Sequence, residues 1–343
     1  MLEPFELVSE GEVDQVIDRG RTGAFHKQVL ELPGDVPLAL VRKHKVGGPT
    51  RPPVVLIHGF AQNRYSWHTS RRSLVNWLAE RGWDVWNLEL RGHGRSRSEA
   101  STGAEVFADY VHDVGRVARA LDGQAYFVGH SLGGAACYGA ATTAPMRGVV
   151  GIGALFAFGR SNPLLRLVTR VSHELRHAPI VQHFTVRTRA IGTLLSKLYA
   201  VSDVAGYTVP LSGWWPGSVE PELLEERLTT GFDWTSVQVW LEMSRWAATG
   251  VFDYEDAWRH THVPLLVMAG DKDHLMPAED ARRAYDLSPA DDKTLVVFDD
   301  FHHEVHWGHL DLVLGKHAPR HTWPCLHDWL KARGGSMPPW GGS

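Results

Sequence analysis

Short apolar runs alternate with amphipathic stretches along most of the chain. A short, continuously apolar run is typical of a strand buried on both faces of a sheet. Such runs lie at residues 54–57, 125–128, 149–152, 264–269 and 294–298, and residues 83–88 form a further predicted strand. Helical patterns lie at about 70–81, 104–121, 132–144, from 278 and from 310. Strands that alternate with helices predict an α/β protein with a mostly parallel, doubly wound sheet.

Two features interrupt this alternation. Near the beginning, residues 25–44 offer two extended stretches around a Pro-Gly-Asp turn signal at 33–35, which predicts a hairpin. Later, about a hundred largely helical residues separate the fourth central strand from the fifth, which is too long for a plain loop. We therefore expect a helical cap inserted in the sheet domain. The predicted divisions are a core of 1–158 and 261–333, a cap of 159–260 and a flexible tail of 334–343.

The last long helix of the predicted cap has a recognisable beginning. Thr235 and Gln238 have the spacing of a capping box. Val237, Trp240 and Leu241 then share one face at helical spacing.

The composition excludes several classes of protein. Hydrophobic residues make up 43% and charged residues 22% of the chain, and the net charge is −4, so no basic face for nucleic acid is expected. Cys137 and Cys325 imply neither a disulfide framework nor a metal-binding pair. The first residues lack an apolar leader, and no run reaches the ~18 apolar residues that span a bilayer. We expect a cytoplasmic protein, with peripheral membrane contact left open and no inference on oligomeric state.

A candidate nucleophile lies at the end of the third apolar run. Gly129, Ser131 and Gly133 fit the pattern G-x-S-x-G. The pattern alone is weak, but here it follows a predicted strand and opens a predicted helix, which is the strand–turn–helix setting that a nucleophile elbow needs. Ser131 is therefore the predicted nucleophile.

A serine nucleophile needs a base, and the base needs an orienting carboxylate, in the chain order Ser, Asp or Glu, His. Asp273 follows the fifth central strand and is the predicted acid, with Asp271 as the alternative. His309 opens a helical pattern after the last strand and is the predicted base. The alternative bases are His302, His303 and His306. These histidines with Glu304 lack the H-E-x-x-H spacing, so no metal is predicted.

Two backbone N–H groups are expected to bind the oxyanion. One belongs to Leu132, directly after the nucleophile, and the other to Phe60, in the loop after the first central strand. We expect the neighbouring His58, Gly59 and His130 to contact the substrate.

At these residues the chain resembles the α/β-hydrolase superfamily. The resemblance covers about 50–158 and 261–333 and rests on segments in family order. Those segments are 58–60, 91–96 and 129–134, followed by Asp273 and His309. Further segments at 73–86, 236–254, 270–275 and 307–319 look like acid lipases, and the first of these is similar also to polyhydroxyalkanoate synthases. The synthases place a cysteine, and epoxide hydrolases and haloalkane dehalogenases an aspartate, where this chain has Ser131. The resemblance thus implies ester hydrolysis.

The predicted cap suggests the kind of substrate. It contains many large apolar side chains, which suit a water-excluding pocket for a hydrophobic group, although most of them are expected to pack the cap itself. They are Trp214, Trp215, Trp234, Trp240, Trp246, Trp258, Leu164, Leu165, Leu194 and Leu195. Arginines interleave with apolar residues at 160, 166, 170, 176, 187 and 189, which predicts a solvated face, with contact to anionic lipid as the alternative.

The expected activity is that of a cofactor-free esterase or lipase, working through an acyl-enzyme on a small hydrophobic ester. Acyl transfer, thioester hydrolysis and carbon–carbon bond hydrolysis would use the same residues and remain alternatives. A non-catalytic binding module on the same fold is a further alternative.

Overall fold

The computed structural model describes residues 4–98, 103–174, 185–187 and 213–334. Within these ranges nine strands form one sheet, and two short strands form a separate ladder. The strands are β1 (Glu6–Asp18), β2 (Arg21–Leu32), β3 (Leu38–Lys45), β4 (Pro53–Ile57), β5 (Asp84–Leu88), β6 (Tyr126–His130), β7 (Gly148–Ile152), β8 (Thr185–Arg187), β9 (Trp234–Ser236), β10 (Leu265–Gly270) and β11 (Lys293–Phe298). The large sheet has the order β1-β2-β3-β5-β4-β6-β7-β10-β11, and β8 pairs with β9.

Helices lie on both faces of the large sheet. They are α1 (Leu74–Glu80), α2 (Phe107–Ala120), α3 (Leu132–Ala141), α4 (Pro163–Glu174), α5 (Pro221–Thr230), α6 (Val237–Thr249), α7 (Glu255–Trp258), α8 (Ala278–Leu287), α9 (Asp300–His303), α10 (Asp311–Leu314) and α11 (Thr322–Arg333). Single 3₁₀ turns occur at Arg64–Ser66 and Gly94–Ser96.

Six consecutive strands run parallel, from β5 to β11 in the sheet order. Their side chains alternate between two apolar cores, as the pleat requires. Val55 and Ile57 of β4 pack with α2 and α3, whereas Val54 and Leu56 pack with α1 and α11. The predicted α/β class and doubly wound, mostly parallel sheet are confirmed.

Three antiparallel strands extend this sheet at one edge. The predicted hairpin is confirmed as β2 and β3, which pair antiparallel from Phe25–Lys45 to Leu32–Leu38. Strand β1 was not predicted. It is an edge strand with mostly exposed positions, so its sequence lacks the apolar alternation that marks a half-buried strand.

Two predicted helix boundaries are wrong. The first helix begins at Leu74, because the Ser73 side chain accepts a hydrogen bond from the Asn76 N–H and caps it there. The helical pattern from 310 gives only the four residues of α10, and a separate helix, α11, follows it.

The predicted beginning of α6 is also wrong. Thr235 lies in β9 opposite Val186, so its backbone is extended, and the helix begins after Ser236 without a side-chain cap. The three residues predicted to share a face do lie in this helix, but they are not its most buried ones. Its buried apolar residues are Val239, Met243, Trp246 and Ala247, whereas Val237, Trp240 and Leu241 are half-buried.

The chain leaves the sheet after β7 and returns at β10, and α4 to α7 lie between them. The second half of this segment is attached to the core through Arg72, which is 1% exposed. Its guanidinium contacts Asp18 and Glu220, both at 2.8 Å, and donates to the Leu314 carbonyl. The boundaries of the cap stay a prediction.

Some sequence predictions fall outside the described residues or side chains. Arg176, Arg189, Leu194, Leu195 and most of the tail lie outside the described residues, and so do the side chains of Leu164, Leu165, Arg187 and Trp234. Of the remaining arginines, Arg160, Arg166 and Arg170 are exposed. Among the described helices, none is both long and apolar enough to span a bilayer.

Candidate active site

Ser131 occupies the turn that joins β6 to α3. Its backbone has φ 57° and ψ −126°, a conformation that side-chain-bearing residues rarely adopt and that stores strain. The turn is held from both sides, because the Ser131 N–H donates to the Ile152 carbonyl and the Ser131 carbonyl accepts from Leu155. The side chain is 8% exposed, at the carboxyl edge of the sheet.

The two flanking glycines are required by close backbone approach. A Cβ on Gly129 would lie 2.4 Å from the Gly133 carbonyl. A Cβ on Gly133 would lie 2.4 Å from the carbonyl oxygens of Ile57 and His58. Strand β6, helix α3 and the end of β4 thus meet around Ser131 at distances that only glycine permits.

Asp273 and His309 form a buried hydrogen-bonded pair. The His309 Nδ1 lies 2.7 Å from Asp273 Oδ2, and both residues are 2% exposed. The other oxygen, Oδ1, accepts from the N–H groups of Leu275 and Met276 at 2.9 and 2.8 Å. The carboxylate is therefore fixed by its own loop, and it orients the imidazole.

Residues on either side of the Ser131 turn lie close to the Asp273–His309 pair. The His130 Nε2 donates to the His309 carbonyl at 3.1 Å, so the residue before the serine holds the histidine backbone. A Cβ on Gly153, which follows the strand end that binds Ser131, would lie 3.0 Å from His309 Nδ1. A Cβ on Gly59 would lie 2.9 Å from the Ser131 Cβ.

Asp271, the alternative acid, makes different contacts. Its Oδ1 accepts from the Trp307 N–H at 2.9 Å, and its Oδ2 lies 2.5 Å from His306 Nδ1. It anchors the loop that precedes His309. The alternative bases contact other carboxylates: His306 contacts Asp271, and His302 and His303 lie close to Asp299.

His58, a predicted substrate contact, has backbone partners on both ring nitrogens, and its contact with substrate stays a prediction. The residue is fully buried, its Nδ1 donates to the Gly59 carbonyl at 3.0 Å, and its Nε2 accepts from the Leu90 N–H at 3.1 Å. Burial and the neighbouring His93 lower the pKa of His58 well below its usual value. A neutral ring with both nitrogens engaged positions the loop of Gly59 and Phe60.

His130, the other histidine predicted to contact the substrate, also has a backbone partner, and its contact with substrate stays a prediction. It is 1% exposed and holds the His309 backbone, and burial together with His309 lowers its pKa well below the usual value. Sequence could not reveal either role, because each depends on a backbone partner that lies far along the chain. Gly59 does lie against Ser131, as described above.

The two predicted oxyanion residues border the same turn. Leu132 is the first residue of α3, so its N–H has no acceptor within the helix. Phe60 is half-buried, and its ring centroid lies 6.1 Å from that of Trp240, which in turn lies 6.4 Å from Phe158. Trp240 thus reaches from α6 to the loop beside Ser131.

The other tryptophans of the inserted segment have different surroundings. Trp246 and Trp258 are buried in the core with Phe107 and Tyr138, and the Trp215 ring packs on His306 at 4.6 Å between centroids. Trp214 is half-buried. Core packing therefore accounts for the most buried members of the set.

Asp311 is a residue of this region that sequence reasoning missed. It is fully buried and accepts three hydrogen bonds, from Ser218 Oγ at 2.6 Å and from the N–H groups of Trp215 and Gly308 at 2.8 and 2.5 Å. The carboxylate joins the loop of His309 to residues 215–218 of the inserted segment. A single aspartate two positions after a histidine carries no recognisable sequence signal.

The pKa of Asp311 leads to a stability prediction. Burial is the main cause that raises this pKa from 3.8 to about 7. Since the folded state then binds more protons than the unfolded state between about pH 4 and 7, this group lowers stability as the pH rises. Asp311→Asn keeps the shape but does not ionise. We expect urea unfolding to show a stability difference, wild type minus variant, that falls between pH 4.5 and 8; a pH-independent difference would contradict the raised pKa.

Two groups of histidines and carboxylates come within 4.8 Å of one another elsewhere among the described residues: Glu304 with His317 and His321, and Asp271 with Asp300 and His306. In the first, Arg320 contacts both Glu304 oxygens at 3.0 Å. In the second, the two carboxylates lie at opposite nitrogens of His306. Both arrangements are explained by ion pairs and hydrogen bonds.

Two sequence families match the chain. The family described as alpha/beta hydrolase fold matches residues 52–186, and the family described as serine aminopeptidase, S33, matches residues 233–308.

The chain is also similar to individual proteins. A probable alcohol acetyltransferase of Saccharomyces cerevisiae is 30% identical over 32% of this chain and 34% of its own length. Epoxide hydrolase B of Mycobacterium tuberculosis is 38% identical over 31% of this chain and 30% of its own length. The chain thus matches about a third of the length of these curated relatives. The crystal structure of Paleococcus ferrophilus monoacylglycerol lipase is similar in fold, with a TM-score of 0.60 at 18% identity, covering 86% of this chain and 99% of that one.

Proposed function

The chain belongs to the α/β-hydrolase superfamily, and on that premise we propose that it is a serine hydrolase that cleaves carboxylic esters with a hydrophobic group. The observation that supports this most is the buried Asp273–His309 pair beside the strained Ser131 turn. Strain at a nucleophile turn holds the serine oxygen clear of the sheet, where a base can reach it.

In the proposed reaction, Ser131 Oγ attacks the ester carbonyl carbon while His309 Nε2 takes its proton. Asp273 holds the Nδ1–H and stabilises the imidazolium that forms. The N–H groups of Phe60 and Leu132 bind the oxyanion of the tetrahedral intermediate. Its collapse breaks the bond to the alkoxy group, which takes the proton from His309 and departs. Water, activated by the same histidine, then releases the acid and regenerates Ser131.

The proposed preference for a hydrophobic group rests on aromatic rings beside the oxyanion loop. Trp240 lies within ring-contact distance of both Phe60 and Phe158. It belongs to residues 159–260, the segment that we propose as a cap. Half-buried aromatic rings favour an acyl or alkyl group over a charged one. Two sequence-based predictions also remain proposals: weak contact of this cap with a membrane surface, and a cytoplasmic location.

Acyl transfer to an alcohol is the second candidate, favoured by the similarity to the probable alcohol acetyltransferase. The two reactions share the acyl-enzyme and differ in whether water or an alcohol attacks it. Adding ethanol to the assay and measuring the ratio of ethyl ester to free acid distinguishes them.

The proposal is tested with a fluorophosphonate probe and a panel of p-nitrophenyl esters, a thioester and an aminoacyl p-nitroanilide. We expect stoichiometric labelling that Ser131→Ala abolishes and that Ser70→Ala, at an exposed serine bonded to Glu226, leaves intact. Turnover is expected to favour esters with a hydrophobic acyl chain over acetate and over the anilide. Labelling that survives in Ser131→Ala, or turnover confined to the anilide, would overturn the proposal.

A further inference from the structure

A cavity of about 160 Å³ lies on one face of the sheet, against β2, β3, β5 and the 3₁₀ turn at Arg64–Ser66. That volume holds several waters or one small polyatomic ion, since a single water needs ~10–15 Å³ by the same kind of measure. Its polar lining includes Gln15, Lys27, Lys43, Arg64, His68 and Arg95. Four of these side chains are cationic, and no carboxylate is among the described residues that line the cavity.

Lys43 is the most unusual of the four cations. It is 2% exposed, and its ammonium donates to two neutral amide oxygens, those of Asn76 at 3.0 Å and of Gln15. Burial, together with Lys27 and Arg64, lowers its pKa to about 7. A buried ammonium without a carboxylate partner is costly, because desolvation is not offset by an opposite charge.

The strand register places a second cation directly against it. Lys27 of β2 pairs with Lys43 of β3 in the antiparallel ladder, and like charges at directly opposed positions destabilise a sheet. The carboxylates of β1 cannot compensate, because Glu10, Glu12 and Asp14 alternate to the other face of the strand. There Glu10 contacts Gln28 and His26.

The two arginines leave the cavity positive. Glu89, which is 1% exposed, accepts from Arg64 at 2.8 and 3.0 Å and from the backbone N–H of Arg95. Glu89 therefore pairs with the guanidinium of Arg64, whereas it meets Arg95 at the backbone N–H. His68 adds no charge, since burial and the neighbouring cations lower its pKa to about 3.

We propose that this cavity binds a small tetrahedral oxyanion of the phosphate type, held by Lys27, Lys43, Arg64 and Arg95. Such an anion would accept charge-assisted hydrogen bonds from cations that otherwise oppose one another. Lys27 is half-buried and Arg95 is exposed, so they form the open side through which the ion enters. Arg64 follows the loop of Gly59 and Phe60 along the chain, and the proposal does not rest on the proposed ester cleavage.

The probe is inorganic phosphate. Its binding is measured by titration calorimetry and by thermal unfolding, with the ionic strength held constant by chloride. We expect saturable one-to-one binding and a melting temperature that rises with phosphate concentration. Lys43→Gln keeps an amide donor for Asn76 and should weaken binding at least about tenfold, as should Lys27→Gln and Arg95→Gln. The matched control is Lys331→Gln, at an exposed lysine of α11, and its affinity should equal that of the wild type.

Glycerol 3-phosphate and vesicles that contain phosphatidic acid separate the possible sources of the phosphate group. The small-ion proposal expects free phosphate and glycerol 3-phosphate to compete for one site. Absence of saturable phosphate binding, equal weakening in Lys331→Gln, or vesicle binding that phosphate does not compete would overturn it.

Discussion

Ser131→Ala is expected to lower kcat for ester hydrolysis by about 10⁶-fold, the scale that removal of a triad nucleophile produces. No other group in the proposed reaction forms the acyl-enzyme, so the residual rate would come from substrate binding and the oxyanion N–H groups alone. The measurement is single-turnover and steady-state kinetics with a p-nitrophenyl ester. A loss of less than about tenfold would show that another residue attacks the substrate.

The backbone at Ser131 supplies the control for misfolding. Alanine keeps the Cβ and therefore the strain at φ 57°, so Ser131→Ala should unfold at nearly the wild-type urea concentration. Ser131→Gly removes the Cβ, and we expect it to be about 1–2 kcal/mol more stable than Ser131→Ala while equally inactive. Equal stability of the two variants would contradict strain at the turn.

Asp273→Asn is expected to lower kcat by about 10⁴-fold with little change in KM. An asparagine amide can donate to His309 Nδ1. The imidazole then carries its proton on Nε2, the nitrogen that should accept the proton of Ser131. The variant also loses the negative charge that stabilises the imidazolium. Kinetics over pH 6–9, with the fold checked by circular dichroism, would measure both effects.

Asp271→Asn is the matched comparison, since the same change is made two residues away. Asp271 contacts Trp307 and His306, and its loss should shift the loop that carries His309 without altering the tautomer. We expect a decrease of no more than about 10²-fold, the scale of a small misplacement. A larger loss in Asp271→Asn than in Asp273→Asn would reverse the assignment of the acid.

The central sheet could be predicted because its signals are local. Runs such as 54–57 and 149–152 are apolar at every position, and each lies beside a helical pattern, so buried parallel strands follow from the sequence alone. The placement of Ser131 between β6 and α3, and that of Asp273 and His309 in contact, also agree with motif order. Their catalytic roles stay predictions.

What could not be predicted depends on contacts between distant residues. The backbone partner of His130 lies 179 residues away and that of His58 lies 32 residues away, so no local pattern separates a positioning histidine from a substrate-binding one. The Lys27–Lys43 opposition exists only in the register of β2 against β3. The capping box at Thr235 failed because pairing with Val186 competed with the helix.

The buried guanidinium of Arg72 has a consequence for synthesis on the ribosome. Asp18 is already made when Arg72 appears, but Glu220 follows 148 residues later and the Leu314 carbonyl 242 residues later. At ~5–20 residues per second, the last partner arrives about 12–50 s after Arg72 itself. During that interval the nascent chain holds an incompletely paired cation at a position that is buried in the finished protein. We therefore expect the structure to close around this arginine only after residue 314 has emerged.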